Sequence, residues 1–153
     1  KLANFLRPAE VVGISPFRYI ELRQFKYLED DIRAEKLGQY KRIHRAFIES
    51  LDLDLYNCTV NDLEKVFGVG PKTARFFLLH SRPNQRLAVI DTHILKWLRN
   101  ALGINAPKAT PTQLKKYHEL ENHYLKYCDD NGLSPAELDL HIWSNLNKKR
   151  FAK

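Results

Sequence analysis

Lys72 and Asp91 are the two residues whose positions ask for a chemical explanation. Lys72 follows Gly68-Val69-Gly70-Pro71, and Thr73-Ala74 come directly after it. Proline favours the first position of a helix, so the lysine falls in a first helical turn. An ammonium there opposes the helix macrodipole, which favours the neutral amine, and partial burial would favour it further. A neutral amine is a nucleophile able to form a Schiff base at a sugar carbon. A protonated one is a solvated phosphate contact. Both readings fit the lysine alone. Asp91 opens the run Asp91-Thr92-His93-Ile94 after the apolar stretch Leu87 to Ile90. It can cap its own helix, and a capping carboxylate is also rigid, partly desolvated and aimed. Asp91 comes one helix and one turn after Lys72, so adjacent helices can bring both side chains into one cleft.

The glycines beside Lys72 add a second function. Gly68 and Gly70 permit backbone conformations closed to other residues and let the backbone touch a bulky anion. With Val69 between them and Thr73 in the next turn, exposed amides of the turn and helix start can donate to a phosphate. That is a sequence-independent grip on a nucleic-acid backbone. An ordinary corner between two helices is the competing reading.

Composition agrees with a polyanionic partner. Of 153 residues, 25 are Lys or Arg against 18 Asp or Glu, a formal charge of +7 and a pI near 9.4. Such an excess favours nucleic acid over a membrane. No apolar run has transmembrane length and no signal-peptide pattern opens the chain. Two isolated cysteines, Cys58 and Cys128, exclude a four-cysteine zinc or iron–sulfur site and fit a reducing compartment. None of the six histidines has the spacing and carboxylate company of a metal site, so no metal and no cofactor are expected. His93 is expected to be structural. His141, two positions before Trp143, fits a pocket wall or simple packing. Trp97 reads as core, and Trp143 as core or as a stacking surface for a base. The basic tail Lys148-Lys149-Arg150 is a solvated helix end or, beside DNA, a set of phosphate contacts.

The elements that must position these residues read as helices throughout, an all-α compact domain over residues 1–153. Ser15-Pro16 is a cap and first turn; Phe17, Ile20, Phe25, Leu28 and Ile32 then keep helical spacing up to Gly38. A helix over Tyr40–Leu51 turns Ile43, Phe47 and Leu51 inward. Thr59 caps a short helix ending near Phe67, and Pro71 opens another with Ala74, Phe77 and Leu78 inward, ending at the turn cluster Ser81 to Gln85. Leu87 to Ile90 is too short to decide between strand and buried connection. Asp91 begins a helix with Ile94, Leu95, Leu98, Ala101 and Leu102 on its apolar face and Gly103 at its end. Thr110-Pro111 starts a long helix bearing Leu114, Tyr117, Leu120, Tyr124 and Leu125 and stopping near Gly132. Ser134-Pro135 with Glu137 forms a capping box for the last helix, which carries Leu138, Ile142, Trp143 and Leu146. A short helix, Gly-Val-Gly and a second helix opened by proline make a helix-hairpin-helix at about residues 60–81.

"FGVGPKTA" followed by "VIDTHILK" resembles the helix-hairpin-helix DNA glycosylase superfamily, which includes endonuclease III. The resemblance implies that Lys72 is the nucleophile of a bifunctional glycosylase/lyase and Asp91 the catalytic carboxylate. The stretch Lys115 to Trp143 is similar to the end of the type 2 8-oxoguanine DNA glycosylases, compact members without an iron–sulfur cluster. By that likeness Trp143 and the terminal Lys153 help recognise the flipped base, and 8-oxoguanine is the expected lesion. The likeness runs over about residues 60–153 and fades before it, where the N-terminal lobe is expected to be shortened. It implies a monomer acting inside the cell on DNA with damaged bases. Two alternatives remain: a non-catalytic helix-hairpin-helix DNA-binding module, against which Lys72 and Asp91 together argue, and a relative acting on modified pyrimidines.

The charge and the Gly-Val-Gly turn predict salt-sensitive binding to duplex DNA. Each neutralised phosphate should steepen the log–log salt dependence of affinity by roughly 0.9. A salt titration of affinity on undamaged duplex checks this, and a flat response removes the electrostatic argument.

Overall fold

The computed structural model describes residues 2–24 and 26–151, with side chains described for residues 4–24 and 26–145. The described residues are helical with no strand, which makes the fold all-α. The chain divides by its internal contacts into two units, Lys1–Val69 and Gly70–Lys153.

The first unit holds α1 (Leu2–Val12), α2 (Pro16–Arg23), α3 (Leu28–Ala34), α4 (Tyr40–Leu51) and α5 (Val60–Lys65). Its core joins Phe5, Ala9, Tyr19, Ile20, Leu28 and Ile32, with Ile43, Phe47 and Leu51 of α4 packed against it. The Phe5 ring meets Tyr19 edge-on at 5.8 Å and stacks on Phe47 at 5.7 Å. α1 has no counterpart in the sequence reading, because Pro8 inside it hides the helical pattern. The single helix expected from Phe17 to Gly38 is two. Ser15 Oγ caps α2 by accepting from the Arg18 amide at 3.1 Å, as expected, but the chain leaves the helix after Arg23 and re-enters at Leu28. Arg23 then grips Asp31 of α3 with two bonds of 2.6 and 2.7 Å. Ile20, Leu28 and Ile32 are still buried as the spacing required, while Phe17 is partly exposed; Phe25 lies outside the described residues. A three- or four-residue step between apolar positions is satisfied equally by one helix or by two that fold back, so the break was invisible to periodicity.

The second unit holds α6 (Pro71–Ser81), α7 (Thr92–Leu102), α8 (Leu114–Asp130) and α9 (Pro135–Phe151). Its core gathers Ile94, Leu95 and Leu98 of α7, Tyr117, Leu120, Tyr124 and Cys128 of α8, and Leu138 and Ile142 of α9. Trp97 packs edge-on against Tyr124 and Tyr127, with ring centroids 5.9 and 4.9 Å apart. Burial pushes the Cys128 thiol up to about 11, in keeping with a packing role. On α6 the buried stripe is Ala74, Arg75, Leu78 and Leu79; Phe77 is only half-buried.

The stretch Leu87 to Ile90 is a buried connection, not a strand. Ala88, Val89 and Ile90 are nearly inaccessible, and side chains of α8 take the place of a partner strand. The Ala88 amide donates to Glu121 Oε1 at 3.0 Å. The Ile90 amide donates to Tyr117 Oη at 3.0 Å, and the same hydroxyl donates to the Ala88 carbonyl at 2.9 Å. Thr110 completes the set, its hydroxyl donating to the Ile90 carbonyl at 2.9 Å. This corrects the expected start of α8. Thr110 spends its side chain on the connection instead of capping a helix, and α8 begins at Leu114 behind Gln113, which makes no side-chain cap.

Glu121 also accepts from Arg75 Nε of α6 at 2.9 Å, with the Arg75 and Glu121 side chains only 3 % and 7 % exposed. Removing one partner of such a pair strands the other charge in the interior, at a cost of roughly 3–5 kcal/mol. Glu121→Ala also orphans the Ala88 amide. We expect the variant to lose stability on that scale, read as a lowered denaturant midpoint against wild type.

Candidate active site

The turn that precedes Lys72 is held from within the first unit by α4. Thr59 and Asp62 form a reciprocal capping box that starts α5, and these bonds draw the Asp62 carboxyl down to about 2. Beyond α5, Glu49 of α4 accepts from the Phe67 amide at 2.6 Å. The Arg45 guanidinium lies 4.1 Å from the centroid of the Phe67 ring and pairs with Glu49 at 2.5 Å. Arg42 donates to the Gly68 carbonyl at 3.1 Å. Residues 42, 45 and 49 fall on one face of α4 and together seize two consecutive residues of the turn.

The glycines differ in what they do. Gly68 has φ +86° and needs its freedom: a Cβ there would sit 2.8 Å from Arg42 Nε. Gly70 has φ −99° and ψ 177°, ordinary extended backbone, and open space where a Cβ would point. The expectation that both glycines adopt conformations closed to other residues is therefore corrected for Gly70. Bareness in front of an approaching ligand is the property left to it. The Val69 amide closes the turn on the Val66 carbonyl at 3.0 Å.

In the second unit, Gly70 is the N-cap of α6 and brings no side chain to cap it; Pro71 has no amide to offer. The amides of Lys72 and Thr73 thus open the helix with no side-chain cap, the arrangement that receives anions. Lys72 and Thr73 are both exposed. Lys72 is therefore not the partly buried lysine that the sequence argument entertained.

Asp91 caps α7 as its sequence position required. Its Oδ1 accepts from the amides of His93 at 2.8 Å and Ile94 at 2.9 Å, and the residue is half-buried. The carboxylate is thereby fixed at the end of the pinned 88–90 connection. His93 is half-buried beside it, and His141 is exposed on α9, 2.7 Å from Asn145 Nδ2.

The structure adds a second carboxylate, which the sequence reading missed. Asp139 of α9 meets His80 of α6 at 2.9 Å, their side chains 14 % and 19 % exposed. Burial pushes the Asp139 carboxyl above its usual range against the pull of His80; the charge of Asp91 adds to the rise and that of Lys72 opposes it. Asp139 stands in the run Leu138-Asp139-Leu140, and its signal was a lone acid between leucines on a helix otherwise read as core. Trp143 is 54 % exposed, one turn beyond Asp139, so it is not a core residue. Phe76 is equally exposed, and its ring lies 4.9 Å from that of His80. Lys153 lies outside the described residues, as do the side chains of Leu146 and Lys148 to Arg150. Among the described residues no three His, Cys, Asp or Glu side chains gather as a metal site, and no helix is long and apolar enough to cross a membrane.

Comparison with known proteins points the same way. The chain is similar to an 8-oxoguanine DNA glycosylase/AP lyase of Thermoplasma volcanium, 29 % identical over 127 residues that cover 80 % of this chain and 58 % of the relative. The chain spans less than two thirds of that relative's length. The match takes in more of the chain than residues 60–153, so the likeness reaches into the N-terminal unit, further than the motifs alone indicated. It supports a DNA glycosylase. No family model matches the chain, and no solved structure matches it.

The two glycines predict different losses. Gly68→Ala combines left-handed strain, roughly 1–2 kcal/mol, with displacement of Arg42, and should lower the melting temperature. Gly70→Ala should leave the melting temperature near wild type while weakening affinity for duplex DNA. Equal stability losses in the two variants would refute this division.

Proposed function

We propose that the chain is a bifunctional DNA glycosylase/AP lyase that excises a damaged base, 8-oxoguanine, through a lysine Schiff base and β-elimination. The observation that carries the proposal is the start of α6, where Gly70 brings no side-chain cap and Lys72 is exposed beside the open helix amides; Asp91, held by two amides at the start of α7, is the fixed carboxylate of the same unit. The likeness to the Thermoplasma volcanium protein supports the same reading and supplies the lesion.

In this reading the Gly68–Thr73 stretch holds the strand by its phosphates. The damaged nucleotide leaves the stack, because a base inside a duplex is out of reach. Lys72 Nζ attacks C1′ and the base departs with the glycosidic electron pair. Asp91, immobilised by two amides, faces the positive charge that develops on the sugar, where a preorganised carboxylate stabilises it without reorganising. Ring opening leaves an imine between Lys72 and C1′. Loss of a C2′ proton then expels the 3′ phosphate and nicks the strand. Trp143, exposed on α9, offers an aromatic face to the extruded base, a contact worth roughly 1–3 kcal/mol. Lys153 is assigned to base recognition by resemblance.

A second reading has one observation in its favour. Asp91 is fully accounted for as a helix cap and Lys72 as an exposed phosphate contact, which is all that a binding module needs. Borohydride separates the two. Added during turnover on duplex carrying 8-oxoguanine, it should trap a covalent protein–DNA adduct, and Lys72→Gln should abolish the adduct while retaining binding. An adduct that survives in Lys72→Gln moves the nucleophile elsewhere. Absence of adduct and base release across oxidised purines, oxidised pyrimidines and abasic sites favours the module.

A further inference from the structure

We propose that Arg42 of α4 is a ligand for a DNA phosphate, a charged contact that the Gly68 carbonyl and the Gln39 side chain hold in place before DNA arrives. This rests on the proposed function only in that DNA is the partner.

Arg42, Arg45 and Glu49 brace the same turn, and their charges are used differently. Glu49 accepts from the Phe67 amide at 2.6 Å, which brings a carboxylate to the turn. Arg45 pairs with that carboxylate, so those two charges offset each other. Arg42 donates from one terminal nitrogen to the Gly68 carbonyl at 3.1 Å and from the other to Gln39 Oε1 at 3.2 Å. Both acceptors are neutral. Among the described residues Arg42 meets no carboxylate, whereas Arg18, Arg23, Arg33, Arg75 and Arg86 each meet one. An exposed cation is thus held in one orientation with its whole charge uncompensated.

Bracing alone does not ask for this. A carbonyl is satisfied by any neutral donor, and a long charged side chain loses rotamer freedom when it is held. What the guanidinium adds is charge and spare donors. Its planar fork has more N–H groups than two acceptors use, in a geometry that matches phosphate oxygens. Gly68 lets it come close: a Cβ there would lie 2.8 Å from Arg42 Nε and 3.0 Å from its Cγ. Gln39, Arg42 and Gly68 also line one open hollow of the surface, so the group borders space that an anion can enter. A formal charge of +7 makes a polyanion the fitting partner. The contact goes to the backbone of the strand, so it positions the DNA and does not read sequence.

The test is equilibrium binding to duplexes that carry one stable abasic analogue, which fixes the register. Phosphates near the analogue are replaced one at a time by neutral methylphosphonates. Wild type should lose affinity about tenfold at the position that Arg42 holds. In Arg42→Gln that penalty should vanish while penalties at other positions stay. In Arg42→Lys, which keeps the charge, part of it should remain. An unchanged penalty pattern in Arg42→Gln overturns the proposal. So do penalties that shrink together at every position, because a loosened turn gives that result. If Arg42→Gln fails to fold, Gln39→Gly takes its place. Glycine suits the left-handed backbone there, at φ +39°, and the change removes one anchor of the guanidinium. The penalty at that single position should then weaken, and an unaltered pattern overturns the proposal. A chain that binds the analogue no better than undamaged duplex overturns the glycosylase/lyase reading instead. The salt dependence on undamaged duplex then decides Arg42: the log–log slope should fall by roughly 0.9 in Arg42→Gln and hold in Arg42→Lys. Equal slopes in Arg42→Gln and wild type overturn the proposal. A chain that binds no duplex overturns both.

Discussion

The second unit depends on how a carboxylate and a phenol on α8 satisfy a stretch of backbone that has no strand to pair with. A buried amide without a partner costs a few kcal/mol, and residues 88–90 are buried. Glu121 and Tyr117, four residues apart on one face of α8, supply the missing ladder: one accepts from Ala88, the other accepts from Ile90 and donates to Ala88. Glu121 can be buried because Arg75 neutralises it, and the guanidinium also lies 4.6 Å from the centroid of the Tyr117 ring. Every partner in the set is needed by another. Arg75 sits one turn beyond Lys72, and Ile90 immediately precedes Asp91. The network that settles the backbone therefore fixes the helix of the amine and the entry point of the carboxylate together.

The first unit solves a smaller problem by similar means. A turn carrying a left-handed glycine has few internal bonds to define it. α4 supplies them from outside, with Glu49 on the Phe67 amide and Arg42 on the Gly68 carbonyl. The Phe67 amide and Arg45 together hold the Glu49 carboxyl below its usual range. Arg42 and Arg45 keep their positive charge on the surface while bound. On the proposed function, the residues that brace the turn therefore also contribute to the field that draws a phosphate backbone toward it.

Helix identity was legible where local chemistry decides it. Ser15-Pro16, Thr59, Pro71, Asp91 and Gly103 each set an end through a bond or dihedral that neighbouring residues determine alone. It was illegible where distant partners decide. Thr110 was a sound cap on local grounds, yet the Ile90 carbonyl twenty residues away claimed its hydroxyl. The break between α2 and α3 is bridged by the Arg23–Asp31 pairing, which no periodicity records. At the site, Lys72, Gly68 and Asp91 stood out because their types are unusual for their local positions. Asp139 did not, because an acid on a helix is unremarkable until its pairing with His80 of another helix is known.

The exposure of Lys72 also has a physical logic once DNA is the partner. An exposed ammonium beside the uncapped amides of α6 adds to an attractive field and assists encounter. The same ammonium is useless as a nucleophile until it loses its proton. Under the proposed function, bound DNA covers this face and expels water, and a drier surround disfavours the ammonium. Loss of its proton then removes a charge from a medium that penalises it. A lysine buried in the free chain would carry that penalty permanently and lose its use in attraction. Leaving Lys72 open delays neutralisation, on the proposed function, until the substrate itself supplies the burial.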